Sequence, residues 1–259
     1  KKTIDTIQNY LPIPLVQTLD YFVKSTANEE LNNVSFQANP CELTGILGNE
    51  PKQRRALVEL IGNRRTHGTF DGNIYFTGAG SKISPERASA FLPWGASQLY
   101  TPGLTYAEMV TYSARLRMNV HYLSHKERET LIKERVLQVL DMMELVWCKE
   151  RVIPERPSTR GNIGGELRRL SVAVEFINLP SVFLLADPTQ DLDLVMAIKL
   201  IECLIKFTEK GHTIIASFPK PANQIFMNLN KIVLLSQGCT IFAGNRDDVQ
   251  SYFCSTPLV

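Results

Sequence analysis

Long apolar runs are absent from this chain of 259 residues: stretches such as 182–186 and 232–235 are far too short to cross a bilayer. No signal peptide is visible either, since Lys1-Lys2-Thr3-Ile4-Asp5 has no apolar run behind it. There is no initiator methionine, so the expectation is an excerpt of something longer. Cysteine is sparse. Cys41, Cys148, Cys203, Cys239 and Cys254 are odd in number, widely spaced and form no Cys-x-x-Cys, which suits reduced thiols better than a disulfide framework or a zinc site. Charge of one sign is barely in excess, with 28 Lys and Arg against 26 Asp and Glu for a net +2. That balance favours neither nucleic acid nor an anionic membrane surface as the main partner. What is there is globular: 44% hydrophobic and 21% charged residues exclude disorder and a coiled coil. The length gives one large domain or two small ones.

Apolar runs of strand length alternate with longer stretches of helical period, which predicts an α/β fold. Strands are expected at 18–23, 42–47, 72–77, 90–93, 182–186, 213–217, 232–236 and 240–243. Helices are expected at 54–62, 105–118, 125–143, 166–178, 192–209 and 247–253. The helix at 125 has a legible start, since Ser124 can cap it and Glu127 completes a capping box. Leu131, Val136, Val139, Leu140 and Met143 then give it one buried face. Helices dominate from 105 to 178. This reads as a strand-rich core, 1–93 and 179–259, interrupted by a helical subdomain at about 94–178.

Gly45-Ile46-Leu47-Gly48 ends a strand and precedes a helix, the layout in which backbone N–H groups and a helix N-terminus hold phosphates. The pattern G-x-x-x-x-G-K-[ST] starts at Gly48 and then fails. Gln53 stands for the second Gly, Arg54 for the Lys and Arg55 for the hydroxyl residue, while Pro51 offers no N–H. On local grounds an ordinary strand-to-helix connection is the better reading.

Two further segments change the picture: Arg160-Gly161-Asn162-Ile163-Gly164-Gly165-Glu166, continuing to Arg168-Arg169-Leu170-Ser171, and Ala186-Asp187-Pro188-Thr189-Gln190-Asp191-Leu192-Asp193. With them the chain, from about Leu31 to Phe253, resembles the nucleotide-binding domain of ATP-binding-cassette (ABC) transporters of the G, or White-type, subfamily. Gly164-Gly165-Glu166 is similar to the core of the signature S-G-G-E/Q, and Asp187-Pro188-Thr189 with Leu192-Asp193 to the end of Walker B and the D-loop. Leu104-Thr105…Glu108, Tyr112-Ser113-Ala114…Leu116-Arg117 and the tail Leu234…Gly238, Phe242-Ala243-Gly244, Tyr252-Phe253 match the subfamily in order and spacing.

The resemblance implies a P-loop NTPase fold of the ABC type: a RecA-like core, an antiparallel β-subdomain and a helical subdomain. It also implies ATP as ligand, a second cassette (a copy, another half of one chain or a different gene product), and a place for this chain on the cytoplasmic face of a membrane, under a transmembrane domain outside it. The same comparison exposes departures. Ala186 holds the Mg²⁺-ligand slot, Asp187 the slot of the water-polarising Glu, Pro219 that of the switch His and Ile163 that of the signature Ser. The Q-loop Gln falls between Trp94 and Ala96, with Gln98 the nearest amide. Phosphoryl transfer depends on positioning and charge neutralisation by such groups, so little or no hydrolysis is expected at this site, with ATP weak or absent and Mg²⁺ unneeded.

Blander readings stand beside these. Arg54 and Arg55 read as a solvated pair at a helix start, Asp187 as a structural turn carboxylate, and His121 and His125 as exposed residues rather than metal ligands. Trp94 and Trp147 read as packing residues, and Tyr21 or Phe22 as either an adenine platform or core. Gly164 and Gly165 show no obvious packing purpose, so a signature loop ahead of a helix at Glu166 is an equal reading. Three functions are open: a degenerate cassette supporting a competent partner, an active ATPase of a lipid or hydrophobic-compound exporter with an unconventional site, and a soluble pseudoenzyme acting as an interaction domain.

Overall fold

Val182–Leu185 and Thr213–Phe218 are buried at every position, so the strands they form need cover on both faces. The computed structural model describes residues 19–25, 31–64, 70–78, 81–82, 88–95, 101–120, 122–155 and 161–255, and supplies that cover. In chain order the strands are β1 (Leu19–Ser25), β2 (Val34–Ala38), β3 (Leu43–Gly48), β4 (Phe70–Ile74), β5 (Thr77–Gly78), β6 (Ser81–Lys82), β7 (Ser89–Leu92), β8 (Val182–Leu185), β9 (Thr213–Phe218), β10 (Lys231–Ser236) and β11 (Cys239–Asn245). The helices are α1 (Pro51–Ile61), α2 (Tyr106–Arg117), α3 (His125–Met142), α4 (Gly161–Phe176), α5 (Leu194–Thr208), α6 (Asn223–Phe226) and α7 (Asp248–Ser255). A six-stranded sheet runs β11-β10-β3-β9-β8-β7, parallel except for the β10–β11 hairpin. A three-stranded antiparallel sheet, β2-β1-β4, lies beside it.

Alternation along the strands divides the interior in two. Val182 and Leu184 of β8 and Ile215 of β9 join Ala56, Leu57, Val58, Leu60 and Ile61 of α1, together with Val34 and Phe36 of β2. Phe183, Leu185, Ile214, Ala216 and Phe218 face the other way, onto α2, α3, α4 and α5. The expected strand at 72–77 is split between β4 and β5, and β2 was not foreseen. The helix expected at 54–62 starts three residues earlier, and that expected at 166–178 starts five earlier. Both shifts matter for the site. The Ser124–Glu127 box forms as read, and a second box, Thr105–Glu108, starts α2.

One buried titratable group sits under this helical layer. His212 is 3% exposed and lies edge-on to Phe176 and Phe207. Its Nδ1 is 2.7 Å from the Pro180 carbonyl, which fixes the proton on Nδ1. Burial first, then Arg135 and Lys210, push its pKa below the ordinary 6.5, against the Pro180 bond. The folded pKa is thus below the unfolded one. Stability is full above about 6.5 and is lost as pH falls from there. Urea unfolding at neutral and mildly acidic pH should show a steeper loss in the natural chain than in His212→Gln; equal losses would place the acid sensitivity elsewhere.

Candidate functional site

The C-terminal ends of β3, β9 and β8 lie side by side, the edge at which open α/β sheets hold ligands. Gly48 ends β3, Ser217 and Phe218 end β9, and Ala186 and Asp187 follow β8. Pairing of Leu185 with Ala216 brings Ser217 next to the turn at Asp187. Only Asn49 and Glu50, both exposed, separate β3 from α1. Pro51 is the first helical residue, where its missing N–H costs nothing, and Glu50 is the N-cap without a side-chain cap bond.

The early start of α1 turns Arg54 inward. It is 1% exposed, which corrects the reading of a solvated pair. Its Nε donates to Asp187 Oδ1 at 3.3 Å and its Nη2 to Oδ2 at 3.0 Å, while Nη1 donates to the Gly48 carbonyl. Asp187 is 3% exposed and sits at φ 49°, in the left-handed region that Asp tolerates better than most residues. Ser217 donates to Asp187 Oδ1 at 2.7 Å and accepts from the Asp187 N–H at 2.9 Å. The carboxylate is therefore a turn residue with every oxygen engaged. Ser217, fully buried, was missed because only the strand register brings it here.

The neighbours complete the charge pattern. Arg55 lies over the Trp94 ring, 3.6 Å from its centroid; burial lowers its pKa, opposed by the Asp187 carboxylate. Arg168, 2% exposed, donates to the Gln190 carbonyl at 3.4 Å; burial lowers its pKa, opposed by Asp191 and Asp187. Trp94 is 45% exposed and Trp147 65%, which corrects their reading as packing residues: each carries an arginine, Arg55 and Arg151. Gln53 is partly buried on the first turn of α1. Ala186 presents a buried methyl, and its N–H donates to Leu92. Ala186 and Arg55 carry no side-chain oxygen for a divalent cation, and both Asp187 oxygens are engaged. Gln98, Ala96 and His121 lie outside the described residues; His125 is exposed at the start of α3.

The glycine pair is placed differently from expectation. α4 begins at Gly161, so Gly164 and Gly165 are buried within the helix rather than ahead of it. A Cβ on Gly165 would lie 2.7, 2.8 and 2.9 Å from Sδ, Cγ and Cβ of Met196 on α5. That is the packing purpose the sequence hid. Glu166, 3% exposed, accepts from Arg151 Nη1 at 2.6 Å and from the Tyr106 hydroxyl at 3.4 Å; burial and this carboxylate push the Tyr106 pKa well up. Asp193 caps α5 by accepting from the Met196 N–H at 2.9 Å.

No protein-family model matches the chain. Individual relatives do. ABC transporter G family member 22 of Arabidopsis thaliana is 28% identical over 238 residues, 91% of this chain and 31% of that protein. A probable ATP-dependent permease of Saccharomyces cerevisiae is 32% identical over 226 residues, 86% of this chain and 21% of that protein. The ATP-binding protein/permease wht-1 of Caenorhabditis elegans is 30% identical over 238 residues, 90% and 35%. The chain thus resembles members of the ABC transporter G family at 26–32% identity over about 90% of its length, as a nucleotide-binding domain of that family would. Its fold is that of the family's nucleotide-binding domain, and it spans 21–35% of the length of these three relatives. Among the described residues no helix is long and apolar enough to cross a membrane.

Two outcomes follow for this cassette. Arg54→Met should cost about 3–5 kcal/mol, because it strands a buried carboxylate, whereas adding Asp187→Ala should recover more than half of that. Denaturant unfolding of the two singles and the double measures it; additive losses would mean that the pair is not coupled. Gly165→Ala should cost about 1–3 kcal/mol by forcing α4 from α5, with only partial relief from Met196→Ala, since the Met196 Cβ remains. An unchanged midpoint for Gly165→Ala would refute that packing role.

Proposed function

We propose that this domain is a structural cassette that binds ATP weakly or not at all, hydrolyses little or none, and supports turnover by a second cassette. The observation that carries this reading is the buried Arg54–Asp187 pair. The family's loop Lys and its water-polarising carboxylate act on phosphate and water. Here their counterparts are spent on each other. Ala186 and Arg55 stand where the family places Mg²⁺ ligands, and neither has an oxygen to give. The two-residue Asn49–Glu50 connection leaves little loop to wrap a phosphate, and Glu50 sets a carboxylate at the helix start. The residues present do not fit Mg²⁺-ATP, so no catalytic step is assigned to them.

The family resemblance supports the rest of the proposal: this domain sits at the cytoplasmic face of a membrane beneath a transmembrane domain, and its competent partner cassette is another half of the same chain or a different gene product, while the relatives' names speak only of transporters and permeases. The transported compound belongs to the membrane domain and is not encoded here. The test is ATP turnover by the reconstituted full-length complex after the phosphate-loop Lys of the partner cassette is replaced by Ala. Turnover should fall to background. Half the original rate surviving would show that this chain hydrolyses ATP and would end the proposal.

A further inference from the structure

We propose that the former phosphate seat of this cassette has become a guanidinium seat, occupied by the chain's own Arg54. The inference rests on the structural-cassette reading and adds a ligand chemistry to the same site. The groups around Arg54 are acceptors. Both Asp187 carboxylate oxygens and the Gly48 carbonyl receive its N–H groups, and the Ser217 hydroxyl spends its proton on Asp187 Oδ1. A phosphate needs the opposite, converging donors, and would meet a carboxylate here. The planar fork of a guanidinium meets the two carboxylate oxygens through Nε and Nη2 at once, which an ammonium cannot do. Both partners are almost wholly withdrawn from water, with side chains 2% and 5% exposed, so the match of donors to acceptors decides what the seat accepts. Arg55 and Arg168 flank the carboxylate and are the groups that would favour an anion if the seat were still a phosphate site. They make the test discriminating.

The experiment is hydrogen exchange of the segments 43–61 and 182–193 in the full-length protein, with methylguanidinium, KCl at matched ionic strength, ATP and Mg²⁺-ATP as probes. In the natural protein none of the probes should change exchange. Arg54→Ala should accelerate exchange at 182–193 by about tenfold or more, and methylguanidinium alone should reverse most of it. Arg54→Lys, which keeps the charge and most of the volume, guards against a variant that does not fold. It should also exchange faster than the natural protein and remain unresponsive to ATP, although it restores the family's phosphate-loop residue. Protection by ATP in any of the three proteins, or methylguanidinium acting no better than KCl on Arg54→Ala, overturns the proposal. ATP protection without turnover sinks this inference and leaves the structural-cassette reading standing; turnover at this site sinks that reading itself.

Discussion

The Arg54–Asp187 ion pair constrains everything around it. Two opposite charges withdrawn from water are tolerated only when the remaining donors and acceptors are also matched. Gly48, Ser217 and the Asp187 N–H do that matching. The pair therefore ties three strand ends and the first turns of α1 into one unit. Gly48 must stay small for a separate reason, since a Cβ there would stand 2.8 Å from the Leu235 carbonyl of β10. A loop that begins on a residue pressed against a neighbouring strand and enters its helix two residues later has little backbone to lend to a ligand.

The motifs that carry the family resemblance serve the fold here. Thr105 and Glu108 close a capping box, Asp193 caps α5, Gly165 admits Met196, and Glu166 joins Arg151 and Tyr106 across three segments. Each has a physical reason to persist that makes no reference to nucleotide. Motif residues can thus keep a sequence recognisable after the groups that touch metal and phosphate have changed. Ala186 shows the complementary case. A methyl at the end of a fully buried strand costs nothing in packing, while a carboxylate there without a metal would need a partner.

The alternation of strands and helices was legible because β8, β9 and β10 are dense in branched apolar residues and α3 and α5 are long and periodic. Ser124 and Glu127 announced a helix start because a capping box is local. β2 was overlooked because Val34-Ser35-Phe36-Gln37-Ala38 is short, and its partner, β1, pairs across a connection with no clear hairpin signal. Arg54 was misread for a deeper reason. Its carboxylate lies 133 residues away, and no periodicity connects them. Read locally, an Arg-Arg pair at a helix start belongs in water; only the sheet order, which sets the start of α1 against the turn after β8, supplies the charge that lets one of them be buried. Trp94 and Trp147 failed in the opposite direction: both are exposed, and the contact each ring makes is with an arginine rather than with the core.

The core does not need a ligand to hold this site in place. Two apolar clusters, one on each face of the six-stranded sheet, fix β3, β8 and β9 relative to one another. Between them the polar strand ends must still be satisfied, because a carboxylate and a carbonyl at a dry sheet edge are costly when unpaired. A bound ligand is one way to meet that demand; an arginine one residue past the expected glycine is another, permanent and independent of ligand concentration. The charge pattern follows from the second solution. Asp187 faces Arg54 directly, with Arg55 stacked on Trp94 and Arg168 held at Gln190, so the polar strand ends are matched by groups of the chain itself.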